Sequence, residues 1–307
     1  MDIKRDVFGD LDRICPPGTI LATNTSSLSV TEIAALTDRP EKVVGLHFFN
    51  PAPVMKLAEV ITTVSTSAET ADIVTEVAKR VGKTPIAVAD RGGFVANALL
   101  VPYINDAVRL YERRIATREE IDESAKKAAG LPMGPLALAD LVGLDVCLAV
   151  MDVLWDEFRD PRYAASPLIR RMVAAGRLGR KTGQGFYGSG DEAPEPRPTG
   201  RLAEMVREEE TLDLGEMLIA PQIDDALRMV GDGYASAKDV DTAMRFGCGY
   251  PKGPTELLEE RGAESVITTL VAMAEYGLTT IAVPAPLLMD QLPDTEESAP
   301  HGGCACH

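Results

Sequence analysis

Long hydrophobic runs are missing from this chain. No stretch approaches the roughly eighteen consecutive apolar residues of a membrane-spanning helix. The charged start Met1-Asp2-Ile3-Lys4-Arg5-Asp6 leads into no apolar signal core. Cysteine is scarce, with five in 307 residues. Cys15, Cys147 and Cys248 stand apart from one another and read as small, buried or half-buried hydrophobes of a reducing compartment. A cytoplasmic protein is expected. Positive charge is also in deficit. A net charge of −16 and a pI near 4.7 argue against a nucleic-acid partner, which favours a basic face. Acidic clusters at Arg207-Glu208-Glu209-Glu210 and from Asp290 to Glu297 read as solvated surface. Histidine occurs three times, as His47, His301 and His307. The tail places His301 and His307 around Cys304 and Cys306, ligand types suited to zinc or copper. Cys-x-Cys lacks the usual gap of a structural zinc site, so no metal is expected.

What is present suffices for a sizeable core and about two domains. Residues 1–91 alternate helix and strand. A helix is expected over Asp6–Ile14, ended by Pro16-Pro17-Gly18, then a strand over 19–23. Ser29-Val30-Thr31-Glu32 has the form of a capping box for a short helix. Strands follow near 43–48 and 56–62. Residues 67–81 have helical spacing, with Ala71, Ile73, Val74, Val77, Ala78 and Val81 apolar, and Thr84–Ala89 closes the series as a strand. This pattern is the second half of a doubly wound α/β domain. From Phe94 the pattern is helical: a long amphipathic helix over Val95–Tyr111, a capped helix after Thr117, and a resumed helix over Leu136–Phe158. Residues 92–188 make one helical domain. Residues 189–200 hold three prolines and read as a linker. A second helical domain over 201–285 and an acidic, Pro-rich tail over 286–307, expected to be disordered, complete the chain.

The helical pattern recurs. Ile223-Asp224-Asp225-Ala226-Leu227-Arg228 echoes Ile104-Asn105-Asp106-Ala107-Val108-Arg109, and Gly249 to Pro254 echoes Gly130 to Pro135. Both pairs share one offset, 249 − 130 = 119, which points to duplication. The second copy has Glu216 where the first has Asn97. It reads as structural.

The chemistry-bearing residues cluster early. His47 follows the apolar run Val43-Val44-Gly45-Leu46 and is flanked by Phe48 and Phe49. An imidazole at a strand end in an apolar setting suits a general base. Asn50-Pro51-Ala52-Pro53 turns the chain. Leu57 to Ile61 reads as the returning strand, which would bring Glu59 against the other ring nitrogen to fix the tautomer and stabilise the imidazolium. The plainer alternative is a packed histidine and a surface glutamate.

These segments resemble the NAD-dependent L-3-hydroxyacyl-CoA dehydrogenase (3-hydroxybutyryl-CoA dehydrogenase) family. The matching stretches are ATNTSSLSV, GLHFFNPAPVMKLAEV, GGFVANALLVPYINDAVRLYE, GLPMGPLALADLVGLD and GRKTGQGFY, in order from about Asp2 to Tyr187. The resemblance implies reversible oxidation of a 3-hydroxyacyl-CoA to the 3-ketoacyl-CoA, in fatty-acid and acyl-CoA metabolism such as β-oxidation. It implies His47 as base and Glu59 as its orienting carboxylate. Ser26 and Asn97 match residues that hydrogen-bond the reacting oxygen and the substrate. A loop-satisfying hydroxyl and a helix cap are their alternatives. Lys4, Ser26, Asn50 and Lys181 match positions near the cofactor. Ala98 departs from the arginine or lysine often found there. In the single-copy family the helical units form a dimer interface, so an intramolecular pseudo-dimer or a homo-oligomer is expected here.

One part of that family's pattern has no counterpart. A dinucleotide fold begins with a strand, a G-x-G-x-x-G turn and a helix whose N-terminus holds the pyrophosphate. Before Gly45 the glycines are Gly9 and Gly18, and neither fits. Gly183 to Gly188 matches as a string but follows a loop and leads into Pro-rich sequence. The expectation is an N-terminally truncated enzyme, its first half lost to a start placed downstream or carried on a separate chain. A non-catalytic remnant or oligomerisation subunit is the alternative. This chain alone should bind NADH weakly and show little dehydrogenase activity. Isothermal titration checks this: micromolar binding would show that the cofactor site does not need the glycine turn.

Overall fold

The computed structural model describes residues 1–26, 28–188, 201–209 and 212–292. The linker, Glu210 and the tail with Cys304 and Cys306 lie outside the described residues. The first part holds α1 (Asp2–Ile14), β1 (Leu21–Thr23), α2 (Val30–Ala34), β2 (Val43–Phe48), β3 (Leu57–Thr62), α3 (Ala68–Arg80) and β4 (Thr84–Ala89). A first helical set follows: α4 (Ala96–Glu112), α5 (Arg118–Ala129), α6 (Pro135–Val142), α7 (Leu144–Phe158) and α8 (Pro167–Ala174). A second comprises α9 (Arg201–Glu208), α10 (Glu216–Gly231), α11 (Ala237–Cys248), α12 (Pro254–Arg261), α13 (Ala263–Glu275) and α14 (Pro286–Met289). The architecture is α/β followed by all-α, as expected. Among the described residues no helix is long and apolar enough to cross a membrane.

The sheet runs in the order β1-β2-β3-β4, with β1 parallel to β2, β2 antiparallel to β3 and β3 parallel to β4. Alternation gives it two faces. Val44 and Val60 pack with Val74 of α3 on one side. Leu57 and Ile61 face the helical core on the other. Gly45 lets β2 and β3 close up, because a Cβ there would lie 2.7 Å from Ile61 Cβ.

Three expectations need correction. Leu136–Phe158 is two helices rather than one, broken at Gly143, whose φ of 102° interrupts the helix. The apolar pattern of α3 is only half buried: Val74 and Ala78 face inward, whereas Ile73, Val77 and Val81 are exposed. At Ser29 only half a capping box forms, its hydroxyl accepting from Glu32 N at 3.2 Å. Thr117, by contrast, forms a complete box with Glu120 at the start of α5.

The two helical sets share helix bounds. α5 and α11 coincide at both ends under a displacement of 119 (237 − 118), and so do α6 and α12. The ties coincide as well. Asp122 accepts from Leu136 N and Ala137 N at the start of α6, and Asp241 accepts from Thr255 N at the start of α12. Asn105 accepts from Ser166 N, and Asp224 from Ala285 N. The sets meet through reciprocal contacts. A Cβ on Gly130 would lie 3.2 Å from Pro251, and one on Gly249 would lie 3.9 Å from Pro132. Each contact maps onto the other, as in an isologous interface.

The interface buries charge. Asp225 is 8% exposed and paired with Arg162, which also binds Asp160. Burial pushes the Asp225 carboxyl up to about 6 against the pull of Arg162, with Asp224 and Asp106 adding to the rise. Its folded value thus lies above its unfolded one, so this group's contribution to stability is full at low pH and is lost as pH rises through 6. We expect the parent to gain stability over Asp225→Asn by about 2 kcal/mol between about pH 7 and pH 4. Urea unfolding of both proteins across that range measures the difference, and a constant difference would show that Asp225 does not titrate there.

Candidate active site

The antiparallel register of β2 and β3 sets His47 directly opposite Glu59. The two side chains meet: His47 Nδ1 lies 2.6 Å from Glu59 Oε2. Glu59 is fully buried and His47 is 4% exposed. The other carboxylate oxygen accepts from Val95 N and Ala96 N, each at 3.1 Å. Those amides open α4, where free N–H groups and the helix dipole favour a negative group. A carboxylate can only accept, so Nδ1 is the donor and Nε2 carries the lone pair. Nε2 faces Ser26 Oγ at 3.0 Å. The ring is packed by Phe49 at 4.8 Å and Phe94 at 5.5 Å between centroids. A base, its orienting carboxylate and a hydroxyl at the reactive nitrogen are therefore assembled.

The remaining expected residues divide. Ser26 is exposed and sits just past β1. Its loop is tied to β2 by Asn24 Oδ1, which accepts from Phe48 N at 2.9 Å. Lys4 Nζ donates to Thr23 Oγ1 at 3.1 Å, at the carboxyl end of β1. Asn50 is exposed two residues past β2. Asn97 is half-buried in the first turn of α4, next to the amides that hold Glu59. It caps nothing there, since Val95 is the N-cap residue and no side-chain cap bond forms.

Lys181 is not brought to this cluster. It pairs with Asp145, in the loop whose Phe186 stacks on Tyr111 at the far end of α4. Ala96 and Tyr111 are roughly 22 Å apart along the helix axis, at about 1.5 Å per residue. The GRKTGQGFY loop is instead a brace: Asp140 accepts from Phe186 N and Tyr187 N, and Tyr187 donates to Asp122.

Sequence reasoning missed two supports. One is the pair of backbone amides on Glu59, signalled in the sequence only by Gly92-Gly93 before the helix. The other is the second helical set, read as merely structural. Gly247 of α11 packs where a Cβ would lie 2.6 Å from Leu57 Cδ2 and 3.6 Å from both Ala96 and Phe49. No motif signals this contact.

One cleft lies away from His47. It measures about 540 Å³ and is lined by Ser29, Glu32, Asp90, Arg91, Asp156 and Glu157, among others. His47 does not line it. Its single guanidinium, Arg91, is held between the rings of Phe158 and Tyr234, so the cleft is acidic and unsuited to an anionic ligand.

Glu59 should be a stability determinant as well. Glu59→Ala leaves Nδ1 and two backbone N–H groups without an acceptor, at about 1–3 kcal/mol for each group left buried. We expect a loss of about 3 kcal/mol or more in urea unfolding. Glu59→Gln keeps an amide oxygen for the two N–H groups and should cost less. It turns an NH2 toward Nδ1, which should reverse the ring tautomer seen in the ¹⁵N shifts of His47. Parent-like stability of Glu59→Ala would make the network incidental.

A family model described as 3-hydroxyacyl-CoA dehydrogenase, NAD binding domain, matches residues 1–91. A second, described as 3-hydroxyacyl-CoA dehydrogenase, C-terminal domain, matches residues 93–189 and 215–299. The chain is 57% identical over 187 residues to the 3-hydroxybutyryl-CoA dehydrogenase of Clostridioides difficile, covering 61% of this chain and 66% of that protein. It is 46% identical over 189 residues to the mitochondrial hydroxyacyl-coenzyme A dehydrogenase of Homo sapiens, covering 61% and 60%. It thus spans less than two thirds of the length of each. The crystal structure of 3-hydroxybutyryl-CoA dehydrogenase from Escherichia coli superposes with a TM-score of 0.83 at 30% identity, over 94% of this chain and 78% of that one. Sheet and helices are thus matched by models of one family, and the chain belongs to the 3-hydroxyacyl-CoA dehydrogenases.

Proposed function

We propose that the chain carries the base and its support for oxidising a (3S)-3-hydroxyacyl-CoA, such as 3-hydroxybutyryl-CoA, to the 3-ketoacyl-CoA, or for the reverse reaction. The observation that carries this reading is His47, held between Ser26 at Nε2 and buried Glu59 at Nδ1. In the oxidation the C3–H bond breaks with its electron pair leaving as hydride. The hydroxyl proton moves to Nε2, and Glu59 balances the imidazolium that results. Ser26 holds the reacting oxygen beside Nε2, and Asn97, with a free amide close by, binds the substrate.

NAD, when bound, supplies the hydride acceptor. Lys4, Ser26 and Asn50 stand at the carboxyl ends of β1 and β2, where ligands bind in open α/β sheets. They fit the nicotinamide end. The glycine turn that would hold the pyrophosphate has no counterpart among these residues.

The organisation belongs to the same reading. Residues 1–91 form part of a dinucleotide-binding unit. Residues 92–188 and 201–285 are duplicated helical units that pair within one chain, which the shared offset and the reciprocal glycine–proline contacts support. Scattered free cysteines suit a cytoplasmic setting.

The test is NADH oxidation with acetoacetyl-CoA, by this chain alone and with a glycine-turn half supplied. In whichever form turns over, His47→Gln should lower kcat about a thousandfold. Near-full kcat in that variant would place the base elsewhere. No turnover in either form would favour a non-catalytic subunit.

A further inference from the structure

Gly247 lies one residue before the end of α11, and no left-handed backbone there calls for a glycine. Inside a helix glycine is about 1 kcal/mol less favourable than alanine. The counterpart position in the first set, 128, is alanine. The missing methyl is explained by what it would meet. A Cβ on Gly247 would lie 2.6 Å from Leu57 Cδ2. That is about 1 Å inside ordinary carbon contact. Leu57 is fully buried, so it has no solvent to swing into.

Three neighbours of that position bear on the His47–Glu59 pair. Leu57 stands two residues before Glu59 in β3 and shares its face of the sheet. Ala96, 3.6 Å from the added Cβ, donates its N–H to Glu59. Phe49, also at 3.6 Å, packs edge-on against the His47 ring. The next residue of α11 faces the same carboxylate: burial pushes the Cys248 thiol up, and Glu59 adds to the rise.

We propose that Gly247 is a positioning residue for the His47–Glu59 pair. By carrying no side chain it lets α11 seat on Leu57, Ala96 and Phe49 together, and so sets how the Glu59 carboxylate meets the His47 ring. It touches no reacting atom. A methyl there moves Leu57 and β3, while the amides of α4 still hold the other carboxylate oxygen. The Nδ1–Oε2 contact of 2.6 Å is what gives way. The consequence for rate rests on the proposed function, whereas the consequence for geometry does not.

The test uses the full chain. The low-field ¹H resonance of the His47 Nδ1–H reports its bond to Glu59 without turnover, so the inference can fail separately from the dehydrogenase reading. Gly247→Ala should shift or broaden that resonance. In whichever form turns over, it should lower kcat about tenfold to a hundredfold, as a misplacement of roughly 1 Å allows, with KM changed less than about twofold. Leu57→Val removes the clashing carbon, so Gly247→Ala with Leu57→Val should recover most of both losses. Gly215→Ala is the control, because it imposes the counterpart clash, 2.6 Å from Ala128 Cβ, away from the sheet. It should cost similar stability in urea unfolding and leave the resonance and kcat at parent values. If Gly247→Ala does not fold, Leu57→Val alone decides: opening the contact should broaden the resonance, and a parent resonance would refute the assignment. A parent resonance or parent kcat in Gly247→Ala, the same change in Gly215→Ala, or a double variant no nearer the parent than Gly247→Ala would overturn it.

Discussion

The carboxylate of Glu59 is the constraint on which the site depends. A buried charge is costly unless every lone pair is used. Here one oxygen takes the imidazole N–H and the other takes two amides at the start of α4. The donors come from two separate stretches of chain, β2 and the start of α4, so satisfying one carboxylate fixes several things at once. It fixes the register of β2 against β3, since a one-residue slip would turn Glu59 to the other face. It also fixes where α4 begins and which imidazole nitrogen is left bare. The reactive lone pair follows from the burial of a charge.

The same device recurs through the helical sets. Asp122, Asp140 and Asp241 each place carboxylate oxygens on backbone N–H groups, at a helix start or in the brace loop. This bears on a chain of net charge −16 that belongs to a family named for acyl-CoA substrates. Part of the acidity is committed to holding backbone. The two sets differ where the brace is concerned. Asp122 receives the Tyr187 hydroxyl at 2.9 Å, whereas Asp241 receives the hydroxyl of its own neighbour Thr255. A local hydroxyl serves the set that has no brace loop among its described residues.

Much of this was legible in the sequence because it is local. Strands 43–48 and 84–89 coincide with β2 and β4, where apolar residues and turn residues agree. The His47–Glu59 pairing was legible because an Asn-Pro turn and two short strands leave few registers. What failed was longer in range. Gly143 sits inside an apolar run whose period continues across it, so no change of pattern marks the break. In α3 a second apolar stripe, Ile73, Val77 and Val81, hid which face is buried.

The second set reaches the site by a route that no single position advertises. Position 247 lies 119 beyond 128, and position 215 lies 119 beyond 96. Gly247 packs on Ala96, and Gly215 would place a Cβ 2.6 Å from Ala128. The two contacts are one contact, seen from the two sides of a pseudo-twofold pairing, with the glycine exchanged between partners. Only one of them meets the sheet. Ala96 is the residue whose N–H holds Glu59, so the pairing that joins the helical sets also presses α11 against the support of the base. A second set without counterparts of His47, Glu59 and Asn97 is therefore not remote from the chemistry. Its packing fixes the helix start on which the buried carboxylate, and through it the orientation of His47, depends.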